Sequence, residues 1–410
     1  MTLRGDADYI IKKAISAALP DEAVRQALKD RDFGKGKVYM VAVGKAAWQM
    51  AKAASDCLDG QIEKGICISK YGHIRGELPH VVCYEAGHPI PDANSFRATQ
   101  VAIDLVTDLK AEDTVLFLLS GGGSALFEKP LVSEEELADI TRQLLACGAD
   151  IVEINTLRKR LSAVKGGKFA KLCLPAQVFS VVLSDIIGDP LDMIASGPAY
   201  PDASTSEMAK KIIAKYHLQL SPEAMKLMDI ETPKALTNVE TMITGSVKIL
   251  CEAAAGACEQ LGYKTLTLTD CLNCEAKEAG TFLAAIARTY QQSKESLAFV
   301  VGGETLVHLT GHGKGGRNQE LALSAAYGIS DLYQTAVFSV GSDGTDGPTD
   351  AAGGYVDQDT QAILRKQGIE IFQVLKDNDS YHALQRTDGL IMTGATGTNV
   401  NDVAVLLIQR

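Results

Sequence analysis

Long apolar runs are missing from this 410-residue chain. No stretch approaches the ~18 residues that cross a bilayer. Basic charge is also short. Forty lysines and arginines face fifty-one aspartates and glutamates, a formal net charge of −11, which argues against a protein that tracks nucleic-acid backbones. The opening MTLRGDADYI has no charged-then-apolar signal pattern, and Asp6 and Asp8 do not suit a transit peptide, so a cytoplasmic protein is expected. Nine cysteines, an odd set scattered through apolar segments, read as reduced thiols and not as a disulfide framework. Cys271 and Cys274 form one CxxC without a second, which disfavours structural zinc. The GxxxxGK[ST] of P-loop NTPases, the HRD and DFG of protein kinases, GxSxG and HExxH are all absent.

What is present is ordinary globular composition, 46% hydrophobic and 22% charged, in a chain long enough for two domains or three. Short β-branched apolar runs alternate with amphipathic stretches, the mark of α/β architecture with mostly parallel sheets. Helical periodicity fills 6–30, then strands are expected at 38–43, 64–69, 80–84, 114–119 and 178–183. TVLFLL (114–119) is continuously apolar, as a strand buried on both faces should be. The stretch 229–238, with Pro233 and no periodicity, reads as the linker to a second series. That series has strands at 241–245, 264–269, 297–303, 305–310, 335–340 and 403–408, the pair 297–303 and 305–310 being joined by a tight turn. Two α/β domains with a cleft between them is the simplest picture.

In open α/β sheets ligands collect at the carboxyl ends of strands, and the unusual residues stand there. Gly44-Lys45 follows the first strand. A lysine entering a helix faces the positive end of its dipole, so either an anionic ligand compensates it or it is a solvated turn lysine. Ser120-Gly121-Gly122-Gly123-Ser124 follows the buried strand, where consecutive glycines let backbone N–H groups approach an anion. Asp185 and Asp189 follow 178–183; carboxylates there can hold Mg²⁺ or accept a hydroxyl proton, or simply cap turns. Among the basic residues 158–171, Lys165 before Gly166-Gly167 is the one expected to point inward. Gly303 and Glu304 close the strand 297–303. The glycine turn 311–316 with Arg317 and Asn318 matches GxGxxG formally, but an arginine at a helix start better suits a phosphate gripped by guanidinium. The loop 341–350 carries Asp343 and two more aspartates that suit a magnesium–nucleotide complex or a series of turns.

Taken together, VAVGKAAWQMA (41–51), EAGHPIPDANS (85–95), LSGGGSALFEKP (119–130), INTLRKRLSAVKGGKFA (154–170), LSDIIGDPLDMIASGPAYPD (183–202), GGETLVHLTGHGKGGRNQELAL (302–323), SVGSDGTDGPTDAAGGYVD (339–357) and TGTNVNDVAVLL (396–407) resemble the glycerate 2-kinase family with a C-terminal MOFRL domain. Older usage often called its members hydroxypyruvate reductases. The segments run in family order over nearly the whole chain.

The resemblance implies transfer of the ATP γ-phosphoryl to the 2-hydroxyl of D-glycerate, with Mg²⁺. It implies a larger Rossmann-like N-terminal domain (1–233), a smaller α/β C-terminal domain (234–410, with a MOFRL region at about 297–405), and an active site in the cleft between them. Lys45 and Arg317 are then the catalytic pair, with Arg317 on the transferring phosphoryl and Lys45 on that group or the glycerate carboxylate. Ser120, Gly121, Gly122, Gly123 and Ser124 would cradle an anionic end of a ligand, with Lys165, Gly303, Glu304 and Asn318 as further binding residues. Asp189 is expected to activate the attacking hydroxyl, and Asp185 and Asp343 to stand near the metal. The rival reading is an NAD(P)H-dependent hydroxypyruvate reductase using the GxGxxG at 311–316, with Asp343 at the ribose. The partners expected are D-glycerate and ATP, with no nucleic acid and no membrane; the oligomeric state is not readable.

Overall fold

A computed structural model describes residues 2–188 and 190–410. They form two compact units, residues 24–183 with 190–244, and residues 2–23 with 184–188 and 245–410.

The first unit carries β1 (Val38–Val43), β2 (Ile62–Lys70), β3 (Val81–Ala86), β4 (Thr114–Leu119), β5 (Gln177–Leu183) and β6 (Val239–Gly245). Their order is β3-β2-β1-β4-β5-β6, and β3, β2, β1, β4 and β5 run parallel. This is the doubly wound Rossmann order. β1 and β4 are buried at all but one position each, because helices cover both faces of a parallel sheet. Successive connections run outward from β1 to β3 and, after the crossover, from β4 to β6. The crevice where the order reverses therefore lies at the carboxyl ends of β1 and β4.

The expected linker 229–238 stays inside this unit. Thr232 Oγ1 donates to Asp202 Oδ2 at 2.7 Å, and Asn238 Nδ2 donates to the carbonyls of Ala170 and Ala176 at 2.9 and 3.0 Å. Both side chains are buried. The stretch lacks periodicity because its polar groups are satisfied by specific partners, not because it is loose. β6 then completes the sheet, so the unit extends past residue 233.

The second unit carries β7 (Lys264–Leu272), β8 (Leu297–Gly303), β9 (Thr335–Gly341), β10 (Gly353–Asp357), β11 (Leu390–Ile391) and β12 (Asp402–Ile408), in the order β11-β10-β9-β12-β8-β7. Here the expectation of a mostly parallel sheet is corrected. β7 and β8 are parallel, whereas β12 lies antiparallel to both β8 and β9, and β10 is antiparallel to β9 and β11. The tight pair 297–303 and 305–310 does not form, since both edges of β8 are taken by β7 and β12. Residues 305–310 make one isolated bridge, Leu306 to Glu275, and end tied to Asn378, whose Oδ1 accepts from Thr310 N at 2.8 Å and Gly311 N at 3.0 Å. The N-terminal helix Leu3–Ala17 belongs to this unit. Its buried Leu3, Ala7, Ile10, Ile11, Ala14 and Ile15 keep helical spacing and share a core with the helix Val247–Gln260 and with β12.

Candidate active site

In the first unit, the turns after β1 and β4 are stapled together. Lys45 N donates to Gly121 O at 2.9 Å, and Ser120 Oγ accepts from Ala46 N at 3.1 Å. The approach requires Gly44, because a Cβ there would lie 2.2 Å from Ser120 Oγ. The loop then turns through Gly122 at φ +87° into the short helix Gly123–Leu126. Among the described residues, the N–H groups of Gly121, Gly122, Gly123 and Ser124 have no hydrogen-bond partner. Four consecutive open donors beside a half-buried lysine have the donor pattern of a backbone anion nest, or cradle.

The cradle is braced from behind. Gly123 packs against Ala195, where an added Cβ would lie 2.6 Å from the alanine Cβ. Ala195 and Ser196 hold φ of +50° and +62°; strain of this kind is kept where the surroundings over-determine a loop, commonly at functional sites. Ser124 Oγ lies 3.2 Å from Ser196 Oγ, which donates to Asn155 Oδ1 at 3.0 Å. Lys165 points inward as expected, but toward protein. Its Nζ donates to Ser124 O at 2.8 Å and Phe127 O at 3.0 Å, and lies 3.0 Å from Glu128 Oε2, with both side chains 0% exposed. Burial lowers the Lys165 pKa to about 8, and Glu128 opposes that fall. With its donors spent on the loop's carbonyls, Lys165 supports the cradle instead of reaching a ligand. Asp189 lies outside the described residues.

In the second unit, Arg317 begins the helix Arg317–Ile329. Its Nε and Nη2 donate to Asp402 Oδ2 and Oδ1 at 2.6 and 3.2 Å, and Nη1 donates to Glu304 Oε1 at 2.7 Å. Asp402 is placed by register: as the first residue of β12 it stands opposite Gly303 of β8 and Gly341 of β9, at the carboxyl ends of both. Burial opposes the charge on Arg317, but the bonds to Asp402 and Glu304 more than offset it and hold the guanidinium above its usual range. Two of its five N–H bonds remain for a ligand. Beside it opens a cavity of about 820 Å³ lined by Glu304, Arg317, Glu320, Asp343 and Asp346 among others.

Asn318 and Gly303 have structural occupations. Asn318 Oδ1 accepts from Ser339 Oγ at 2.6 Å, and Nδ2 donates to Asp346 at 3.3 Å. A Cβ on Gly303 would meet Leu272 O at 2.2 Å, so this glycine serves the pairing of β7 with β8. Glu304 reaches the cavity but is paired with Arg317. The first free N–H groups of the helix are taken by Asp346, which accepts from Asn318 N at 3.1 Å and Gln319 N at 2.9 Å. Burial pushes the Asp346 carboxyl up to about 6 against the pull of these donors.

The glycines at 311–316 face protein too. Cβ atoms on Gly311, Gly313, Gly315 and Gly316 would fall within 2.4 Å of Asp377, Asp379, Ser380 and Asp346 respectively. The glycine turn is shaped by packing on residues 377–380, and its helix N-terminus is already capped. A pyrophosphate, as a dinucleotide fingerprint requires, would have to displace a carboxylate.

Among the described residues, no group of three or more His, Cys, Asp or Glu side chains is arranged to hold a metal. Asp343 Oδ1 accepts from Thr345 N at 2.9 Å in a local turn, and Asp185 offers its backbone carbonyl to Asn401 Nδ2 at 3.2 Å. This donor set does not fit an ion caged by protein alone. It suits one that arrives on phosphates and meets one or two carboxylates.

Asp402, Glu128 and His88 were not singled out from the sequence; Asp346 was, as one of the three aspartates of the loop 341–350, but as a residue suited to a magnesium–nucleotide complex and not as a cap of the helix that begins at Arg317. His88 follows a strand end and was accessible to the carboxyl-end rule; Asp402 begins its strand and reaches the carboxyl ends of β8 and β9 only through antiparallel register, and Glu128 carries no sequence signal that separates it from a turn or surface acid.

Comparison with known proteins follows the same outline. Residues 6–229 match the family described as Domain of unknown function (DUF4147), and residues 297–402 match the MOFRL family. A D-glycerate 2-kinase from Thermotoga maritima is 50% identical over 405 residues, covering 97% of each chain. A putative hydroxypyruvate reductase from Agrobacterium vitis is 37% identical, covering 97% of this chain and 93% of that one. A crystal structure of glycerate kinase from Thermotoga maritima superimposes with a TM-score of 0.95 at 49% identity, covering 99% of both chains. With a Rossmann-ordered unit carrying the cradle and a mixed-sheet unit carrying the arginine, the chain belongs to the DUF4147–MOFRL family of glycerate 2-kinases.

Proposed function

We propose that this protein is a glycerate 2-kinase, which transfers the γ-phosphoryl of ATP to the 2-hydroxyl of D-glycerate and releases 2-phosphoglycerate and ADP. The observation that carries the reading is the row of open N–H groups from Gly121 to Ser124 beside Lys45, at the switch point of a doubly wound sheet. Phosphoryl transfer asks the protein for positioning and positive charge, and little covalent work. Arg317, oriented by Asp402 and Glu304, is assigned to the transferring phosphoryl. Lys45 is assigned to that group or to the glycerate carboxylate, and the cradle to an anionic end of a ligand. Mg²⁺ supplies charge neutralisation when it enters with the nucleotide, with Asp185 and Asp343 as the proposed carboxylates.

Several points favour this over the reductase reading. The glycines of 311–316 face protein, Asp346 occupies the helix N-terminus, and the Asp343 side chain is engaged in its own turn. Among the described residues no helix is long and apolar enough to cross a membrane, and a cytoplasmic location belongs to the same proposal.

The test is a product assay with D-glycerate and Mg-ATP, coupled through enolase, which accepts 2-phosphoglycerate and not its 3-phospho isomer. Signal with enolase alone is the expected result. Signal only after phosphoglycerate mutase is added would mean transfer to the 3-hydroxyl. NADH oxidation with hydroxypyruvate, without phosphate transfer, would establish the reductase.

A further inference from the structure

The loop after β3 brings one more group to the cradle. His88 stands two residues beyond the end of β3, and its ring lies against the middle of the glycine loop. A Cβ on Gly122 would sit 3.0 Å from His88 Cδ2, 3.2 Å from His88 Nε2 and 3.3 Å from Lys45 Cγ. Imidazole and lysine therefore cover the same glycine, at the carboxyl ends of β1, β3 and β4.

Two properties of this histidine are unusual for a packing residue. The ring is half-buried, yet among the described residues neither nitrogen has a hydrogen-bond partner. His73 differs, with its Nδ1 3.0 Å from Lys45 O. A ring whose Nε2 lies against Gly122, with no protein partner among the described residues, beside the open N–H groups of Gly121 to Ser124, is placed to bond a ligand that enters there. The charges that reach the ring come from Lys45 after β1, Lys70 at the end of β2 and His73 beyond it. Burial, and then these groups, lower the His88 pKa below the ordinary 6.5. At neutral pH the ring is therefore uncharged and keeps a lone pair, which the neighbouring ammonium groups cannot offer.

We propose that His88 is a catalytic base of the kinase reaction, accepting the proton of the attacking hydroxyl of glycerate. The inference rests on the kinase reading above. As the hydroxyl O–H bond breaks, the proton passes to an imidazole nitrogen and the electron pair stays on oxygen. That oxygen bonds to the γ-phosphorus while the bond from phosphorus to the bridging β-phosphate oxygen breaks. Its electron pair leaves with ADP, and the imidazolium returns its proton to solvent after product release. The cradle and the ammonium groups hold the anions in place, and the His88 imidazole takes the proton.

The experiment is the pH dependence of kcat and kcat/KM for glycerate, on the full chain, in wild type, His88→Gln, His88→Ala and Asp189→Asn, with melting temperatures as the check on folding. In wild type, log kcat/KM is expected to fall with unit slope below a value under 6.5. His88→Gln should lower kcat by about 10²–10⁴, leave KM for ATP within about twofold, and remove the acidic limb. Added imidazole should restore part of the turnover of His88→Ala, a response that a purely structural role would not give. Near-wild-type turnover with an unchanged limb in a folded His88→Gln overturns the proposal. Loss of the limb in Asp189→Asn but not in His88→Gln overturns it equally, and moves the proton to Asp189. Absence of 2-phosphoglycerate from wild type is a different failure, because it removes the kinase reading itself.

Discussion

Asp402 grips Arg317 from two sides, accepting from Nε at 2.6 Å and from Nη2 at 3.2 Å. Asp402 is buried, which pushes its carboxyl pKa up, while Arg317 pulls it down. The pair is oriented by sheet register, because β12 must start opposite the ends of β8 and β9 for the carboxylate to arrive there.

Lysine in place of Arg317 keeps a positive charge opposite Asp402 but loses the planar fork. Arg317→Lys is therefore expected to keep its melting temperature within a few degrees and to lose about 10²-fold in kcat. Steady-state kinetics beside thermal melts would check this. Near-wild-type turnover would remove Arg317 from the transferring phosphoryl.

Gly122 answers to two constraints at once, a φ of +87° and the overlying His88 and Lys45. Gly122→Ala should cost about 1–2 kcal/mol for the left-handed backbone alone. It should also displace the ring and the lysine stem, so kcat/KM should fall by more than the stability loss explains. Urea titration together with kinetics separates the two effects. An alanine variant with unaltered kcat/KM would show that the cradle does not contact substrate.

Lys165 and Lys168 both have pKa values lowered to about 8 from 10.5, chiefly by burial. The unfolded chain keeps those protons until about 10.5, so it binds more protons than the folded protein between the two values. Stability is expected to rise as pH increases from about 8 to 10.5. Lys165→Met should flatten part of that rise. At pH 7 it should also destabilise the protein by a few kcal/mol, because buried Glu128 loses its 3.0 Å partner and keeps only Arg158, at 3.6 Å. Urea unfolding at several pH values reads both effects, and parallel profiles for the variant and wild type would contradict the assignment.

Much of the fold was legible because its strongest signals are local. The continuous apolar run 114–119 could be read as a buried strand and stands as read, and the glycine–serine run after it could be read as a turn at a strand end. β10 and β11 were missed, since Gly353-Gly354 and a two-residue strand carry little periodicity. The strand assigned to 305–310 failed for a non-local reason: its apolar alternation is real, but both edges of β8 were already occupied. The segment 229–238 failed similarly, as a stretch without periodicity that is held by buried Thr232 and Asn238.

The sequence by itself determined the local settings of the proposed site residues: Gly44-Lys45 after a strand, the run from Ser120 to Ser124 after a buried strand, and Arg317 at the head of a helix. Those signals depend on residue type and near neighbours, which a linear reading contains. Only the tertiary structure decided what each residue faces. It turned Lys165 onto Glu128, laid the glycines of 311–316 against residues 377–380, put Asp346 on the helix N-terminus and set His88 over Gly122. Burial and strand order bring together groups tens to hundreds of residues apart, and the free energy of a charge or an open N–H depends on those distant partners.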